Sequence, residues 1–380
     1  MMRETVLRNA RIVLDDRVAE GAVVVRDGRI AAVDEDGAHV GEDLGGDYLL
    51  PGLVELHTDH LESHYVPRPG IYWDPIAAVQ AHDAQIVGSG ITTVFDALRI
   101  GSNADSRGLG ELAAVLAEAI GRARAEGRLK ADHLIHLRCE VSSTDVAAEA
   151  EPLFAAGVVR LASLMDHSPG QRQFADLTAY KRYYRDLDHL SAAEADALVA
   201  RRRDEGAAAA ARMRPEIVAL ARAAGAILAS HDDATAEHVA EAAAEGVAVS
   251  EFPTTAAAAA AARAAGLAVL MGAPNVVRGG SHSGNVSAAE LAAAGLLDVL
   301  SSDYVPFSLM QAVFRLPDVV PGLALADAVR LVTVNPAAVA GLADRGRIAP
   351  GLRADLVRIA RPGGGVPLVR AVWREGERVG

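Results

Sequence analysis

The stretch that decides the fold spans residues 53–60 and reads Leu53-Val54-Glu55-Leu56-His57-Thr58-Asp59-His60. Its apolar first half predicts a buried strand, and its second half supplies imidazoles and a carboxylate. Side chains two residues apart on a strand face the same side, so His57 and Asp59 point the same way. These ligand types suit zinc, manganese or iron. Taken alone, they are explained equally well by a strand-end histidine beside a helix N-cap.

The same unit, an apolar strand followed by a helix, recurs from about residue 51 to residue 344. The predicted strands are Leu53–His57, Ile91–Phe95, His133–Cys139, Val158–Leu164, Ala226–Ser230, Val247–Ser250, Leu267–Met271 and Leu296–Leu300. The predicted helices are Asp74–Val87, Leu109–Glu126, Ser191–Ala224, Thr235–Glu245, Thr254–Ala265 and Ser287–Ala294. This alternation predicts an α/β protein with a (β/α)8 TIM-like barrel. The alternative is an open doubly wound sheet, but no Gly-x-Gly-x-x-Gly motif follows the first strand.

Short β segments lie at both ends of the chain. Asp27-Gly28 between two apolar runs predicts a hairpin near the first of these ends, and β-branched runs at residues 354–359 and 366–372 flank a Pro-Gly turn near the other. Each group is too small to fold alone. We therefore predict a composite β-sandwich domain made of residues 1–50 and 345–380, with the barrel in residues 51–344.

Composition excludes several classes of partner. The 380 residues carry a formal charge of −13, which removes the attraction that nucleic-acid binders depend on. Cys139 is the single cysteine, so there is no internal disulfide and no multi-cysteine metal cluster, as suits a reducing cytoplasm. The first residues lack a signal-peptide core, and charges interrupt the Ala-rich stretches well before about 20 residues. The sequence predicts a cytoplasmic protein that binds neither nucleic acid nor membrane.

Barrel catalysis takes place at the carboxyl ends of the strands, and ligand-type side chains stand at five of the predicted ends. They are His57, Asp59, Glu140, His167, His231 and Asp303. Any single histidine among them is explained as readily by a structural role, but the whole set predicts a site for two cations with one bridging carboxylate. Two divalent cations polarise a phosphoryl or carbonyl oxygen and activate water at neutral pH. Asp303 is predicted to accept the proton of that water and later to deliver it to the leaving group.

Two motifs resemble the amidohydrolase superfamily. Pro51–His57 resembles its first-strand entry, and Thr333–Ala337 followed by Gly346–Val357 resembles its closing segment, where the chain leaves the barrel and re-enters the β-sandwich. The motifs bracket essentially the whole chain. The resemblance implies a metal-dependent hydrolase and agrees with the split domain inferred from composition.

A narrower resemblance is to the phosphonate-pathway branch of that superfamily, PhnM. The matching segments are Glu55–His64, Pro67–Gly70, His136–Glu140, Ser163–Phe174 and Asn275–Asn285. That branch hydrolyses α-D-ribose 1-methylphosphonate 5-triphosphate to the 5-phosphate and diphosphate. The resemblance implies that the six strand-end residues are the metal ligands, and His57-x-Asp59 agrees with the branch where the superfamily usually has His-x-His.

The sequence departs from the superfamily's pattern in two respects. Many members bridge their metals with a carboxylated lysine, whereas neither Lys130 nor Lys181 ends a predicted strand, so Glu140 is the natural substitute. His167 and His231 fall on predicted strands four and five, whereas the superfamily usually uses five and six. Either one repeat is wrongly divided, or one of these histidines contacts substrate instead of metal.

A triphosphate and a phosphonate on an acidic protein require cations concentrated at the barrel mouth. The candidate substrate-binding residues are Arg68, Arg172, Lys181, Arg278 and His282. Guanidinium forks match phosphate geometry, and the glycines after Arg278 would let backbone N–H groups approach oxyanions. A structural role explains Arg68 and Arg172 equally well.

Three functions are weighed. The leading one is hydrolysis of a phosphoanhydride in a small phosphorylated ribose. The second is hydrolysis of a C–N bond in a cyclic amide or amino-purine, which is commoner on this fold. The third is a catalytically silent binding protein, against which the full array of ligand-type side chains argues. Barrels of this kind commonly pair, so a homodimer is also expected.

Overall fold

The computed structural model describes residues 4–35, 40–101, 109–172, 191–281 and 284–380. Its strands are β1 Glu4–Val13, β2 Val18–Arg26, β3 Arg29–Asp34, β4 Glu42–Asp43, β5 Tyr48–Pro51, β6 Leu53–Thr58, β7 Ile91–Ile100, β8 Asp132–Glu140, β9 Val159–Met165, β10 Ile227–His231, β11 Val249–Glu251, β12 Ala268–Gly272, β13 Val299–Ser301, β14 Leu356–Ala360, β15 Leu368–Arg374 and β16 Glu377–Arg378.

The helices alternate with the strands from β6 onward. They are α1 Leu61–Tyr65, α2 Pro75–Gly88, α3 Leu109–Ala125, α4 Val146–Ala155, α5 Ala192–Ala223, α6 Ala236–Ala244, α7 Ala256–Ala264, α8 Ala273–Arg278, α9 Ala288–Ala293, α10 Ser308–Val319, α11 Leu325–Arg330 and α12 Val334–Val339. All six predicted helices are confirmed to within two residues at each end. The Ser191 hydroxyl caps α5 by accepting a hydrogen bond from the Glu194 amide, as predicted.

The helices that the sequence analysis missed are short or interrupted. Helix α4 contains Pro152, and α10 contains Pro317. A proline inside a helix removes one backbone hydrogen bond and reads in sequence as a stop. Packing of the apolar faces outweighs that signal, since Leu153 and Phe154 of α4 are buried.

The terminal segments form one sheet, in the order β16-β15-β14-β5-β1-β2-β3, with β4 paired to β1. The predicted hairpin at Asp27-Gly28 joins β2 and β3, and both residues adopt the positive φ that such a turn requires. The two ends of the chain meet where β5 pairs antiparallel with β14, Leu356 opposite Pro51. The prediction that the termini share one β element is confirmed.

The second sheet contains the predicted barrel strands in chain order, from β6 to β13. The pairs whose registers are resolved are parallel. A parallel bridge between Thr58, at the end of β6, and Asp303, just beyond β13, joins the first strand to the end of the last. The sheet therefore nearly closes into a barrel, and the open doubly wound alternative is wrong.

Contacts between residues divide the chain into two compact units. The first unit comprises residues 1–96, 119–134 and 270–380, and the second comprises 97–118 and 135–269. Sheet membership follows the predicted domain boundaries closely, but the boundaries themselves stay a prediction. Among the described residues, no helix combines the length and the apolar character needed to cross a membrane.

Candidate metal centre

The first unit brings together three of the six predicted ligands, His57, Asp59 and Asp303. His57 is fully buried in β6, and Asp59 lies one residue beyond its end. The Asp303 amide donates to the His57 carbonyl at 3.1 Å, and the Asp59 amide donates to the Asp303 carbonyl at 2.7 Å. These two backbone bonds hold the end of β6 against the segment that follows β13.

Glu55, which the sequence analysis left without a role, braces the same two segments. Its carboxylate accepts hydrogen bonds from the His57 amide at 2.6 Å and from the Ser302 amide at 2.5 Å. Burial raises its pKa to about 8 in spite of these two donors. Each amide immediately adjoins or belongs to a candidate ligand, so Glu55 orients both strand ends through their backbone.

The second unit brings together the other three predicted ligands, Glu140, His167 and His231, and adds Asp232. The Glu140 carboxylate accepts from the His167 amide at 3.0 Å and lies 2.6 Å from His167 Nδ1. On the other side, His167 Nε2 lies 3.7 Å from Asp232 Oδ2, and His231 Nδ1 lies 2.9 Å from the same oxygen. We call these four residues the strand-end cluster.

The electrostatics of the strand-end cluster show an excess of negative charge. Burial lowers the pKa of His167, but the neighbouring carboxylates of Glu140 and Asp232 raise it to about 9. Burial raises the pKa of Glu140, and the interactions with His167 and Ser142 outweigh it and lower the value to about 2. The imidazolium of His167 thus balances two buried carboxylates.

The donor set of this cluster fits a divalent cation. His167, His231 and Asp232 each offer one nitrogen or oxygen atom, and these atoms lie within 4.8 Å of one another. A metal requires the neutral imidazole, so it competes with the proton that His167 carries. The carboxylates that attract this proton would attract the cation for the same reason. In the described part of the chain, the ligand atoms of His57, Asp59 and Asp303 do not form such a trio within 4.8 Å, although each is of a residue type that zinc, manganese and iron accept.

Strained backbone marks the same strand ends. Asp232 follows the last residue of β10 with a φ of 56°, and Phe252 follows β11 with a φ of 55°. Asp303, two residues beyond β13, has a φ of 54°. Residues other than glycine seldom adopt this left-handed conformation, and where they do, functional sites are common.

The division into repeats is confirmed, because His167 follows the fourth barrel strand, β9, and His231 ends the fifth, β10. The sixth strand, β11, ends in Glu251, which accepts a hydrogen bond from the Ser163 hydroxyl at 2.5 Å. Lys130 lies ahead of β8 and ends no strand. Lys181 lies outside the described residues, and of the two explanations for the positions of the histidines, the one that remains is that His167 or His231 contacts substrate instead of metal.

The structure places the predicted substrate-binding cations in different surroundings. Arg68 is exposed in the loop after α1, and Arg278 is exposed as the last residue of α8. The Gly279 and Gly280 amides both donate to the Asn275 carbonyl and so close α8, whereas the sequence analysis expected them to approach phosphate oxygens. Lys181 and His282 lie outside the described residues.

Arg172 is placed differently from the expectation. Only 5% of this residue is exposed, and its guanidinium pairs with Asp233 at 2.5 Å. Arg99, near the end of β7, contacts Glu140 instead, at 3.4 Å. Nothing in the run Leu98-Arg99-Ile100 distinguishes this arginine from a strand-interior residue, whereas Asp232 and Glu251 were detectable as carboxylates at strand ends.

A further imidazole–carboxylate cluster lies in the first unit, and we call it the α2 cluster. It consists of His82 and Asp83 on α2, Asp96 on β7 and His133 on β8. His82 Nε2 and His133 Nδ1 each lie 2.8 Å from one oxygen of Asp96, and His133 Nε2 lies 3.1 Å from Asp83. Both imidazoles and Asp96 are inaccessible to solvent.

Comparison with known proteins gives a full-length curated relative. The α-D-ribose 1-methylphosphonate 5-triphosphate diphosphatase of Escherichia coli (strain K12) is 46% identical over 381 residues, which cover 98% of this chain and 100% of the relative. The model of the amidohydrolase family matches residues 48–377.

Solved structures of low sequence identity share the fold. The 5-methylcytosine deaminase of Klebsiella pneumoniae superposes with a TM-score of 0.66 at 15% identity, covering 99% of this chain and 98% of that one. The N-acetyl-D-glucosamine-6-phosphate deacetylase of Mycobacterium smegmatis superposes with a TM-score of 0.63 at 18% identity, covering 99% of both chains.

Proposed function

The chain belongs to the amidohydrolase family, and from this membership we propose that it hydrolyses α-D-ribose 1-methylphosphonate 5-triphosphate to the 5-phosphate and diphosphate. One observation carries the proposal, namely the end-to-end identity of 46% with a diphosphatase that acts on this compound. The protein is accordingly a hydrolase of a phosphoanhydride with a small-molecule substrate.

We propose that the enzyme binds two divalent cations, which are zinc, manganese or iron. His57, Asp59 and Asp303 would hold one, and Glu140, His167 and His231 would hold the other. All six residues lie at or just beyond the carboxyl ends of strands of one parallel sheet, where barrel enzymes carry their active sites. Bound divalent cations would supply polarisation of a phosphoryl oxygen and a lowered pKa of water.

The protein's own groups handle the proton. The Asp303 carboxylate accepts it from the attacking water as the water oxygen bonds to phosphorus. The bond from phosphorus to the bridging oxygen breaks, diphosphate leaves, and Asp303 returns the proton to the leaving group. The Asp303 backbone is hydrogen-bonded to both Asp59 and His57, which supports its assignment to this step.

Recognition of the polyanion falls to cations outside the ligand set. Arg68 and Arg278 present exposed guanidinium groups in loops of the first unit, and Lys181 and His282 complete the proposed set. Arg99 adds a candidate in the second unit, because its guanidinium is partly exposed next to Glu140. Guanidinium groups spread the charge that develops on the phosphoryl oxygens.

A product-release assay tests the proposal. The purified protein, loaded in turn with manganese, zinc and iron, is offered the methylphosphonate triphosphate, then hydantoin, dihydroorotate and adenine. We expect diphosphate in a one-to-one ratio with the 5-phosphate, and no product from the three ring compounds. Ring opening or ammonia release without diphosphate would establish the C–N hydrolase alternative instead. The Asp303→Asn variant serves as the control for contaminating phosphatases.

Two further properties, the oligomeric state and the location in the cell, stay predictions. Pairing into a homodimer is tested by light scattering on the eluted protein, and a cytoplasmic location is tested by cell fractionation.

A further inference from the structure

We propose that Arg172 is a positioning residue. It fixes the backbone positions of the candidate ligands His167 and His231 relative to each other, and it makes no contact with the substrate. The proposal rests on the proposed function in one respect only, because it assigns those two histidines to a metal. It replaces the expectation that the Arg172 guanidinium binds phosphate.

The position of Arg172 along the chain connects two strand ends. It lies five residues after His167, in the segment that leaves β9. Its side chain reaches the next strand, β10, where one terminal nitrogen donates to the His231 carbonyl at 3.1 Å. A single guanidinium thus ties the loop that carries one candidate ligand to the backbone of the other.

The same nitrogen also pairs with Asp233, whose carboxylate is completely buried. The other oxygen of Asp233 accepts hydrogen bonds from the hydroxyls of Ser230 and Ser250, the latter at 2.8 Å. A buried carboxylate requires a positive partner and filled hydrogen bonds to stay ionised. Arg172 supplies the charge, and the two serines fill the remaining positions.

The described partners of the Arg172 guanidinium are carboxylates and a backbone carbonyl. The second terminal nitrogen of Arg172 faces Glu241 of α6 at 3.4 Å, and Glu241 in turn lies 3.6 Å from Arg214 of α5. The backbone of Arg172 is held at a φ of 41°, a conformation that needs support from its surroundings. A guanidinium turned toward substrate would leave Asp233 buried without a counterion.

The consequence for the centre is geometric. Metal affinity depends on ligands held to within about 0.5 Å, and groups behind the ligands typically change affinity 10–100-fold when removed. Arg172 fixes the spacing between the loop after β9 and the end of β10. This link suits a chain whose histidines follow the fourth and fifth strands.

The test uses cobalt(II) as the probe metal and Arg172→Lys as the main variant. Lysine keeps a positive charge near Asp233, but its side chain is one bond shorter, so its ammonium cannot reach the position of the terminal nitrogen that bonds the His231 carbonyl. We expect a changed visible absorption spectrum of bound cobalt, about 10-fold weaker cobalt binding, and a lower kcat with KM nearly unchanged.

Arg214→Lys is the matched control. Arg214 is also a buried arginine of the same network, bonded to Glu245 at 2.7 Å, but no contact with His231 is among its described interactions. We expect its cobalt spectrum to match that of the unaltered protein, even if its thermal midpoint falls. Asp233→Asn, which keeps the shape of the carboxylate, should shift the spectrum in the same direction as Arg172→Lys.

Two results would overturn the proposal. One is an unaltered cobalt spectrum and affinity in Arg172→Lys with a raised KM for the triphosphate, because the guanidinium would then contact substrate. The other is an equal spectral change in Arg214→Lys, because the effect would then be one of general stability. The cobalt spectrum and the cobalt affinity are measured without turnover, so failure of the proposed function leaves these two readouts decisive, and an unaltered spectrum and affinity in Arg172→Lys overturn the proposal by themselves.

Discussion

The strand-end cluster and the α2 cluster contain the same types of side chain, imidazoles and carboxylates. They differ in their contacts, in their exposure to solvent and in their backbone conformation. Each contains a trio of imidazole and carboxylate atoms within 4.8 Å of one another. In the α2 cluster, both oxygens of Asp96 and both nitrogens of His133 are engaged in short contacts along one chain of residues. In the strand-end cluster, His167 remains 16% exposed, and Asp232 has strained backbone.

The difference teaches that residue type alone does not identify a metal site. The carboxylate of Asp83 also accepts from the Lys130 and Ala131 amides, so both carboxylates of the α2 cluster are hydrogen-bonded. Its contacts join α2 to β7 and β8. The strand-end cluster instead lies at barrel carboxyl ends and balances its carboxylates with one imidazolium.

The largest effect should separate the two clusters directly. His231→Asn should lose one equivalent of bound metal and lower kcat/KM by about a thousandfold or more, because a metal ligand is removed. His133→Gln should keep the full metal content and nearly normal activity per folded molecule. Elemental analysis and diphosphate release measure both. If His133→Gln loses an equivalent of metal, the α2 cluster is itself a metal site and the comparison fails.

The Asp303→Asn variant separates the two roles proposed for Asp303 in the first unit, namely metal ligand and general base. We expect kcat to fall about 100- to 10,000-fold, the range typical of lost general base catalysis. Metal content should stay near that of the unaltered protein because His57 and Asp59 remain. Loss of metal in step with activity would show that Asp303 acts chiefly as a ligand.

The α2 cluster should make the free energy of unfolding decrease as the pH rises into the alkaline range. Burial lowers the pKa of His133, but Asp96 and Asp83 raise it to about 9, above the value of 6.5 expected in the unfolded chain. A raised pKa contributes stability that is complete below pH 6.5 and is lost as the pH rises through 9. The contribution is at most about 3 kcal/mol.

Chemical unfolding at several pH values checks this slope. His133→Gln should be less stable at pH 6 and should show a weaker loss between pH 6.5 and 9. A slope equal to that of the unaltered protein would mean that His133 does not carry the proton. His238→Gln, in an exposed N-terminal turn of α6, is a suitable control.

The smallest effect is expected at the exposed Arg278. Its replacement by alanine should raise KM for the triphosphate several-fold and leave kcat and metal content unchanged, because an exposed cation in water contributes about 1 kcal/mol or less. Steady-state kinetics at low and high salt measures the change. An unchanged KM at low salt would remove Arg278 from the substrate site.

Much of the fold was predictable because its elements are marked by local pattern. The eight barrel strands are apolar runs between alanine-rich helices, and their order along the chain is their order in the sheet. Strand ends then direct attention to His57, Glu140 and Asp303 without any further information. The terminal sheet was predictable because short β-branched runs separated by turn residues occur at both ends of the chain.

What stayed hidden depends on where side chains turn after the chain leaves a strand. Arg172 sits in a glycine- and proline-containing segment typical of a phosphate-binding loop, yet it turns inward to Asp233. His133 and Asp96 lie in different strands, and nothing in their spacing indicates that both form hydrogen bonds with side chains of α2. Such contacts arise from packing between elements, which a linear pattern does not encode.

The pairing of β5 with β14 has a consequence for synthesis on the ribosome. About 300 residues separate these two strands, so at about 5–20 residues per second the nascent chain exposes Leu49 and Leu50 for roughly 15–60 s before their partner emerges. Prematurely terminated products would keep that unpaired edge. The unpaired edge of β5 would therefore allow cellular quality control to recognise an incomplete chain.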